Sequence, residues 1–427
     1  MLIQFRVKNF MSFKDEVCLS MMANSGKENE KNYVLYEKSK ILKFISIYGA
    51  NASGKTNLLK AFTASIMIVR QSFNFSPNAL INFVTPFAFS KENIDMPSEF
   101  EYTFVADKIK YVYGFSATQY KIIDEYLYAY YTAKPTEIFS RKNTKDFELY
   151  YDDEKELKGY ERLTLDNKLF LSVLGNTKYE KAMSPFKWFN ESIDTYIGGL
   201  ESLTLMNGYS FDCYENDKNG ELKDFALNLL NSADILIDDY VFESKEIEMP
   251  VDPLFVLPNS PIKKPIQKQV KIKMKHIVKN NDEESDYYLD FFNSESSGTK
   301  ILFILAPIIK NAFETGKTLY IDEFENGLHP YLLDAVINMF NTSRLNTNNA
   351  QLIINTHNTN LLSLDKLRRD QIWFTEKDPY TGNTDLYSLD DFSVRKEENI
   401  QKGYLNGRYG AVPYMRFGDD GFWKKID

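Results

Sequence analysis

Three short stretches hold the residues whose types and spacing could do chemistry. The first is GANASGKT, residues 49–56. Its glycines, Gly49 and Gly54, allow a tight loop whose backbone N–H groups turn inward and form an anion cradle. Lys55 is spaced to reach the β- and γ-phosphates of ATP, and the Thr56 hydroxyl to ligate Mg²⁺. Asn51, Ser53 and Asn57 complete the expected nucleotide-binding set. A Gly/Ser turn ahead of a helix could be spelled the same way, but the flanks favour the cradle. ILKFISIYG (41–49) is a continuous apolar run, as a buried strand requires, and TNLLKAFTASIMIV (56–69) carries Leu58, Leu59, Phe62, Ile66 and Val69 at helical spacing. The second stretch is TLYIDEFENGLHP (318–330), an apolar strand that ends in two acids. Beside a phosphate cradle, Asp322 can hold the Mg²⁺ shell, and Glu323 can polarise an attacking water as general base. Alone, this would pass for an acidic strand-to-loop junction. The third is QLIINTHNTNLL (351–362), where His357 follows another apolar strand. His357 could contact the γ-phosphate or position the water; a surface histidine in a loop is the competing reading.

Elements must bring these stretches together. Residues 2–8 alternate as a half-buried strand. Residues 99–151 read as a β-meander, with FEYTFV and KIKYVYGFS flanking a turn at Ala106 and Asp107. From about 155 to 235 the pattern becomes helical, most clearly in ELKDFALNLLNSADILI. Pro250, Pro253, Pro258, Pro261 and Pro265 mark a loop. QVKIKMKHIV (269–278) alternates again. After 291 the order is helix, strand, helix, strand and a mixed tail. The expected fold is α/β, a P-loop ATPase head with an antiparallel β-subdomain and an inserted helical subdomain. The expected division is an N-terminal lobe over 1–152, a helical insertion over 153–240 and a C-terminal lobe over 241–427.

Composition narrows the classes. A chain of 427 residues exceeds the usual single core. Hydrophobic content of 43% and charged content of 26% are those of a soluble globular protein. A net charge of −9 counts against a globally basic nucleic-acid binder, though not against a local patch. Cys18 and Cys213 show no metal-ligand spacing and read as free thiols. The N-terminus has no signal-peptide pattern, and the apolar run over 301–309 is too short to span a bilayer. The expectation is a cytoplasmic protein with no membrane association. Lys271, Lys273 and Lys275 share a strand face opposite Val270, Ile272 and Met274; a nucleic-acid backbone contact and an ordinary solvated face both fit, the second being commoner. YLYAYYTAKP (126–135) could stack bases, but strand propensity favours packing of the meander.

The order of motifs resembles the ABC-type ATPases: a P-loop, a small-residue signature before a helix, a Walker B strand followed by Glu, then a switch His. By that match the stretch NSESSGTK, Asn293 to Lys300, takes the signature position, with Ser296, Ser297 and Gly298 as its functional members. Glu295 and Ser297 stand where the family has Leu and Gly, no glutamine can be assigned to the Q-loop, and His329 occupies the D-loop position. RVKNFMSF near the N-terminus resembles the RecF and SMC branch. DEFENGLHP, the ESSGT signature, LRRDQIWFTEKD (367–378) and YLNGRYGAVP (404–413) are similar to the RloA-like ATPases of bacterial abortive-infection loci. The resemblance implies a homodimer or higher oligomer built as a head-to-tail ATP sandwich. Ser296, Ser297 and Gly298 would act in trans, and Lys55, Thr56, Asp322, Glu323 and His357 in cis. It also implies ATP as substrate with Mg²⁺, and an effector, expected to be a nuclease; the stretch after His357 is short for such a domain, so the effector is expected to be separately encoded. A DNA-associated repair ATPase of the RecF/SMC kind is the alternative; the altered signature opposes a transporter subunit.

Overall fold

The structure is a computed structural model, and it describes residues 1–150, 153–198, 208–248, 266–280 and 283–413. The proline-marked stretch over 250–265 lies outside the described residues. In chain order the strands are β1 (Leu2–Lys8), β2 (Val17–Ser20), β3 (Tyr33–Tyr36), β4 (Ser39–Leu42), β5 (Phe44–Tyr48), β6 (Ser98–Ala106), β7 (Ile109–Ala117), β8 (Ile122–Tyr130), β9 (Thr136–Lys142), β10 (Asp146–Leu149), β11 (Ile193–Tyr196), β12 (Asp239–Glu248), β13 (Ile266–Asn280), β14 (Glu283–Asp290), β15 (Thr318–Ile321), β16 (Gln351–Asn355), β17 (Ile372–Lys377) and β18 (Thr384–Ser388). Helix α1 spans Lys55–Gln71.

Contacts divide the chain into two compact units: Met1–Gly199 with Ala312–Glu325 and Val336–Asp427, and Leu200–Asn311 with Asn326–Ala335. The first unit contains two large sheets. One is antiparallel, ordered β10-β9-β8-β7-β6-β1-β2; the other is ordered β11-β15-β16-β5-β17-β18. In the second sheet β11, β15, β16, β5 and β17 run parallel, and only β18 is antiparallel. Strands such as β5, β15 and β16 are buried along their whole length, which is why they read as unbroken apolar runs. The architecture is the expected one, an α/β P-loop ATPase head with an antiparallel sheet lobe.

Helix α1 packs against both sheets. Phe62 meets Phe5 and Tyr102 of the antiparallel sheet at 4.9 and 5.4 Å, and Tyr320 of the parallel sheet at 5.6 Å, ring centre to ring centre. The loop ahead of α1 is therefore fixed by a core on either side. The helices Phe170–Asn176 and Glu180–Glu191 belong to this unit too. The buried Glu125 carboxylate accepts the N–H groups of Phe170 and Leu171 and the Tyr113 hydroxyl, with Arg141 at 3.9 Å. Trp188 stacks on Phe104 at 4.0 Å. Two local details differ from the sequence pattern. The stretch expected to be helical throughout contains β11, whose four residues are too few to show a period. The turn between β6 and β7 sits at Asp107 and Lys108, one residue later than expected, with φ of 48° and 66°, the tight hairpin geometry that needs two positive φ values.

The second unit has its own core, in which Phe303 stacks on Tyr214 at 4.2 Å and meets Phe291 at 5.1 Å. Its sheet is β12-β13-β14, antiparallel. The lysines of β13 face acids: Lys271 lies opposite Glu243, Lys273 opposite Asp290, and Lys275 bonds Asp238 and Asp286 at 3.0 and 3.2 Å. Among the described residues, no helix is long and apolar enough to cross a membrane.

Candidate nucleotide site

The site is built at the carboxyl ends of the parallel strands, where open α/β sheets bind their ligands. The loop after β5 is compressed against β17 and β18. A Cβ on Gly49 would lie 2.5 Å from the Thr375 hydroxyl, and one on Gly54, whose φ is 116°, 2.6 Å from the Thr384 side chain. Those threonines brace the loop: Ser53 Oγ pairs with Thr375 Oγ1 at 2.6 Å, and Thr384 Oγ1 donates to the Ser53 carbonyl at 3.0 Å. Asn57 Nδ2 donates to Ser12 Oγ at 2.9 Å, tying α1 to the segment after β1. Asn51 is exposed on the loop.

Lys55 is only 6% exposed. Its ammonium donates to the carbonyls of Gly49 and Ala50 at 2.8 and 3.1 Å, folded back over its own loop. Burial lowers its pKa to about 8, against the opposing pull of Asp322, Glu325 and Glu323. Asp322, at the end of β15, is buried. Thr56 Oγ1 donates to its Oδ2 at 2.9 Å, and Asn355 Nδ2 to its Oδ1 at 2.8 Å; Tyr320 in turn donates to Asn355 Oδ1 at 3.1 Å. The P-loop strand and the Asp322 strand are separated by β16 alone, about 10 Å in all, and the Thr56 and Asp322 side chains close that distance. A hydroxyl and a single carboxylate are hard oxygen donors. They fit Mg²⁺, which keeps waters and substrate phosphates for its remaining positions.

Glu323 is exposed and has φ of 46°, a left-handed conformation uncommon for a residue with a side chain. His357 is exposed at the mouth of the site. Desolvation and the nearby Lys55 charge lower its pKa, against the opposing effect of Glu325. His329 belongs to the second unit, its Nδ1 accepting the Tyr331 N–H at 3.3 Å. Beside residues 50–53 opens a cleft of about 1000 Å³ bordered by Phe87, Phe89, Lys377 and Tyr380. The 411–413 segment also lines it, and the YLNGRYGAVP stretch that carries it begins at the end of the helix Ile400–Leu405 and continues as a turn. Tyr404 and Tyr409 stack on Phe374, and Arg408 pairs with Glu398 at 2.5 Å.

The signature residues belong to the second unit. Ser296 Oγ accepts the Thr299 N–H at 3.1 Å and so caps the helix Ser297–Thr315. Ser297 is exposed. A Cβ on Gly298 would come no nearer than 3.5 Å to the Gly327 carbonyl, so the chain's own packing does not demand glycine there. The Glu295 side chain is 6% exposed and bonded to His276 Nε2 at 2.8 Å, an anchor on β13.

Motif reading did not find Asn355, Tyr320, Thr375 or Thr384. Asn355 carried the one usable signal, an amide at the end of the apolar run Leu352–Ile354 in a buried strand, where a polar group must have a partner.

A P-loop ahead of a helix, a strand-end carboxylate meeting its threonine, and the parallel sheet beneath them define a P-loop ATPase domain. The sequence comparison gives the family. Residues 44–363 match the family described as "AAA domain, putative AbiEii toxin, Type IV TA system", and the chain belongs to it. It is thus an AAA-type ATPase domain of an abortive-infection toxin–antitoxin family. None of the curated proteins matches the chain. Among solved structures, the Smc head bound to the C-winged helix domain of ScpA is 12% identical, covering 91% of this chain and 97% of that one at a TM-score of 0.35. The Smc head with an extended coiled coil bound to the C-terminal domain of ScpA, from Pyrococcus furiosus, is 13% identical over 96% and 98%, also at 0.35.

Proposed function

We propose that this chain is an ATP-hydrolysing, ABC-type switch of anti-phage abortive-infection defence, related to the RloA-like, RecF and SMC ATPases, and that it controls a separately encoded effector, a nuclease. The observation that carries the nucleotide reading is the meeting of Thr56 with Asp322 beside the buried Lys55. Arriving phosphates would replace the Gly49 and Ala50 carbonyls as partners of the Lys55 ammonium, while the first N–H groups of α1 and the loop amides face the same anion. Thr56 and Asp322 would hold Mg²⁺, which supplies charge neutralisation on the phosphates when bound. Glu323 orients the attacking water as general base, and His357 stands on the γ-phosphate side. The cleft flanked by Phe89 and Tyr380 has the aromatic surfaces to stack a base. Ser296, Ser297 and Gly298 of a second copy complete the site in a head-to-tail homodimer. The pairing of Lys275 with Asp238 and Asp286, and the acids that stand opposite Lys271 and Lys273 in the sheet register, favour this switch over a DNA-repair ATPase, whose phosphate contacts need uncommitted cations.

The test is Glu323→Gln. The variant should bind ATP, lose at least about a hundredfold in turnover, and accumulate as an ATP-bound dimer measurable by light scattering. Unchanged turnover would remove Glu323 from the mechanism.

A further inference from the structure

The loop after β15 carries a third acid that the mechanism above does not use. Glu325 Oε1 accepts the backbone N–H of His357 at 2.5 Å. The bond bridges the segments that leave two neighbouring parallel strands, β15 and β16. The other oxygen, Oε2, is enclosed and meets no hydrogen-bond donor among the described residues. An enclosed acceptor without a donor costs folding free energy, so stability alone does not account for a carboxylate placed this way. Its electrostatic reach points to the same site. Among the carboxylates that act against the lowering of the His357 pKa, Glu325 comes ahead of Glu323 and Asp322.

The His357 backbone is held on its other side by the sheet: Thr356 N–H donates to the Ile47 carbonyl at 3.0 Å, continuing the ladder to the P-loop strand. One residue further the ladder has ended, and Glu325 supplies the acceptor that the next strand no longer offers. We propose that Glu325 is a positioning residue for hydrolysis: by accepting the His357 N–H it fixes the loop that carries the imidazole relative to Lys55 and Asp322. The proposal rests on the nucleotide reading of this site. It reaches beyond that reading by assigning the third acid of DEFENGLHP to the switch histidine rather than to metal or water.

One acceptor oxygen is enough for this bond, so Gln retains it and Ala does not. The experiment uses the full chain with Glu325→Ala, Glu325→Gln, His357→Ala and Glu325→Ala in the His357→Ala background. Glu325→Ala should lower kcat by about ten- to a hundredfold, the scale expected of a displaced catalytic group, with KM little changed. Glu325→Gln should stay near the parent, and Glu325→Ala should cost nothing further once His357 is gone. In nucleotide-free protein, hydrogen exchange at the His357 amide should quicken in Glu325→Ala and not in Glu325→Gln. The proposal is overturned by equal losses in the Ala and Gln variants, by a full additional loss in the His357→Ala background, or by unchanged exchange. The exchange measurement needs no ATP. Failure of the nucleotide reading, seen as Lys55→Ala retaining full ATP binding, is therefore separable from failure of the brace.

Discussion

Asp322 shows what a single residue at this site requires. Its two oxygens are committed to different elements, Oδ2 to Thr56 at the start of α1 and Oδ1 to Asn355 on β16, while its backbone N–H donates to the Tyr196 carbonyl at 3.0 Å. The Asn355 amide is oriented in turn by the buried Tyr320 hydroxyl. Such outer partners set the direction of a metal-binding carboxylate, and their loss weakens metal affinity by about 10–100-fold. Asn355→Ala should therefore raise the Mg²⁺ concentration for half-maximal ATP turnover by about that factor, read from a magnesium titration at saturating ATP. Tyr320→Phe, which leaves Asn355 in place, should shift it less. An unchanged magnesium requirement in Asn355→Ala would take that residue out of the site. Lys55, Thr56 and Asp322 were legible in sequence because each sits in a contiguous string where chemistry and chain geometry restrict the same few positions. Asn355, Thr375 and Thr384 reach the site from strands far along the chain, and one sequence does not say which strands are neighbours.

At the scale of elements, helix α1 couples the site to the core. Phe62 touches an aromatic residue on each of the two sheets, and Leu58, Leu59, Ile66 and Val69 are buried beside it. The helical spacing of these five residues was readable, but the two-sided packing was not, since period alone does not say how many surfaces an apolar stripe meets. Phe62→Ala should destabilise the protein by about 3–5 kcal/mol, as emptying a packed aromatic site does, measured by urea denaturation. A loss below about 1 kcal/mol would mean that the site collapses around the gap and that α1 is held by its other contacts. The buried strands of the parallel sheet were legible as unbroken apolar runs. β11 was not, because Ile193–Tyr196 is polar at two of its four positions and owes its strand conformation to β15 beside it. The lysine face of β13 looked like a candidate polyanion contact in isolation; only the register with β12 and β14 shows that acids stand opposite Lys271 and Lys273 and that Lys275 is paired.

At the scale of the whole molecule, the chain carries the cradle and acids in one compact unit and the Ser296 signature in the other. The head-to-tail reading is decided by complementation between copies. Ser296→Ala removes a helix cap worth about 1 kcal/mol, which leaves the helix in place, so the variant should still bind ATP while losing turnover. Lys55→Ala should lose nucleotide binding and turnover together. If the signature serves the partner's phosphates, a mixed dimer holds one intact site, formed by Lys55 of the Ser296→Ala copy and Ser296 of the Lys55→Ala copy. Free exchange of equal amounts makes half of the dimers mixed, each with one working site of two, so turnover should recover to about a quarter of the parent's. Mixing either variant with the Lys55→Ala, Ser296→Ala double variant should recover nothing, because no pairing then holds an intact Lys55 opposite an intact Ser296. Recovery in the first mixture and silence in the second would establish action in trans. Silence in both, with exchange of subunits verified by a labelled copy, would return Ser296 to the simpler role its hydrogen bond to Thr299 already gives it, the cap of its own helix.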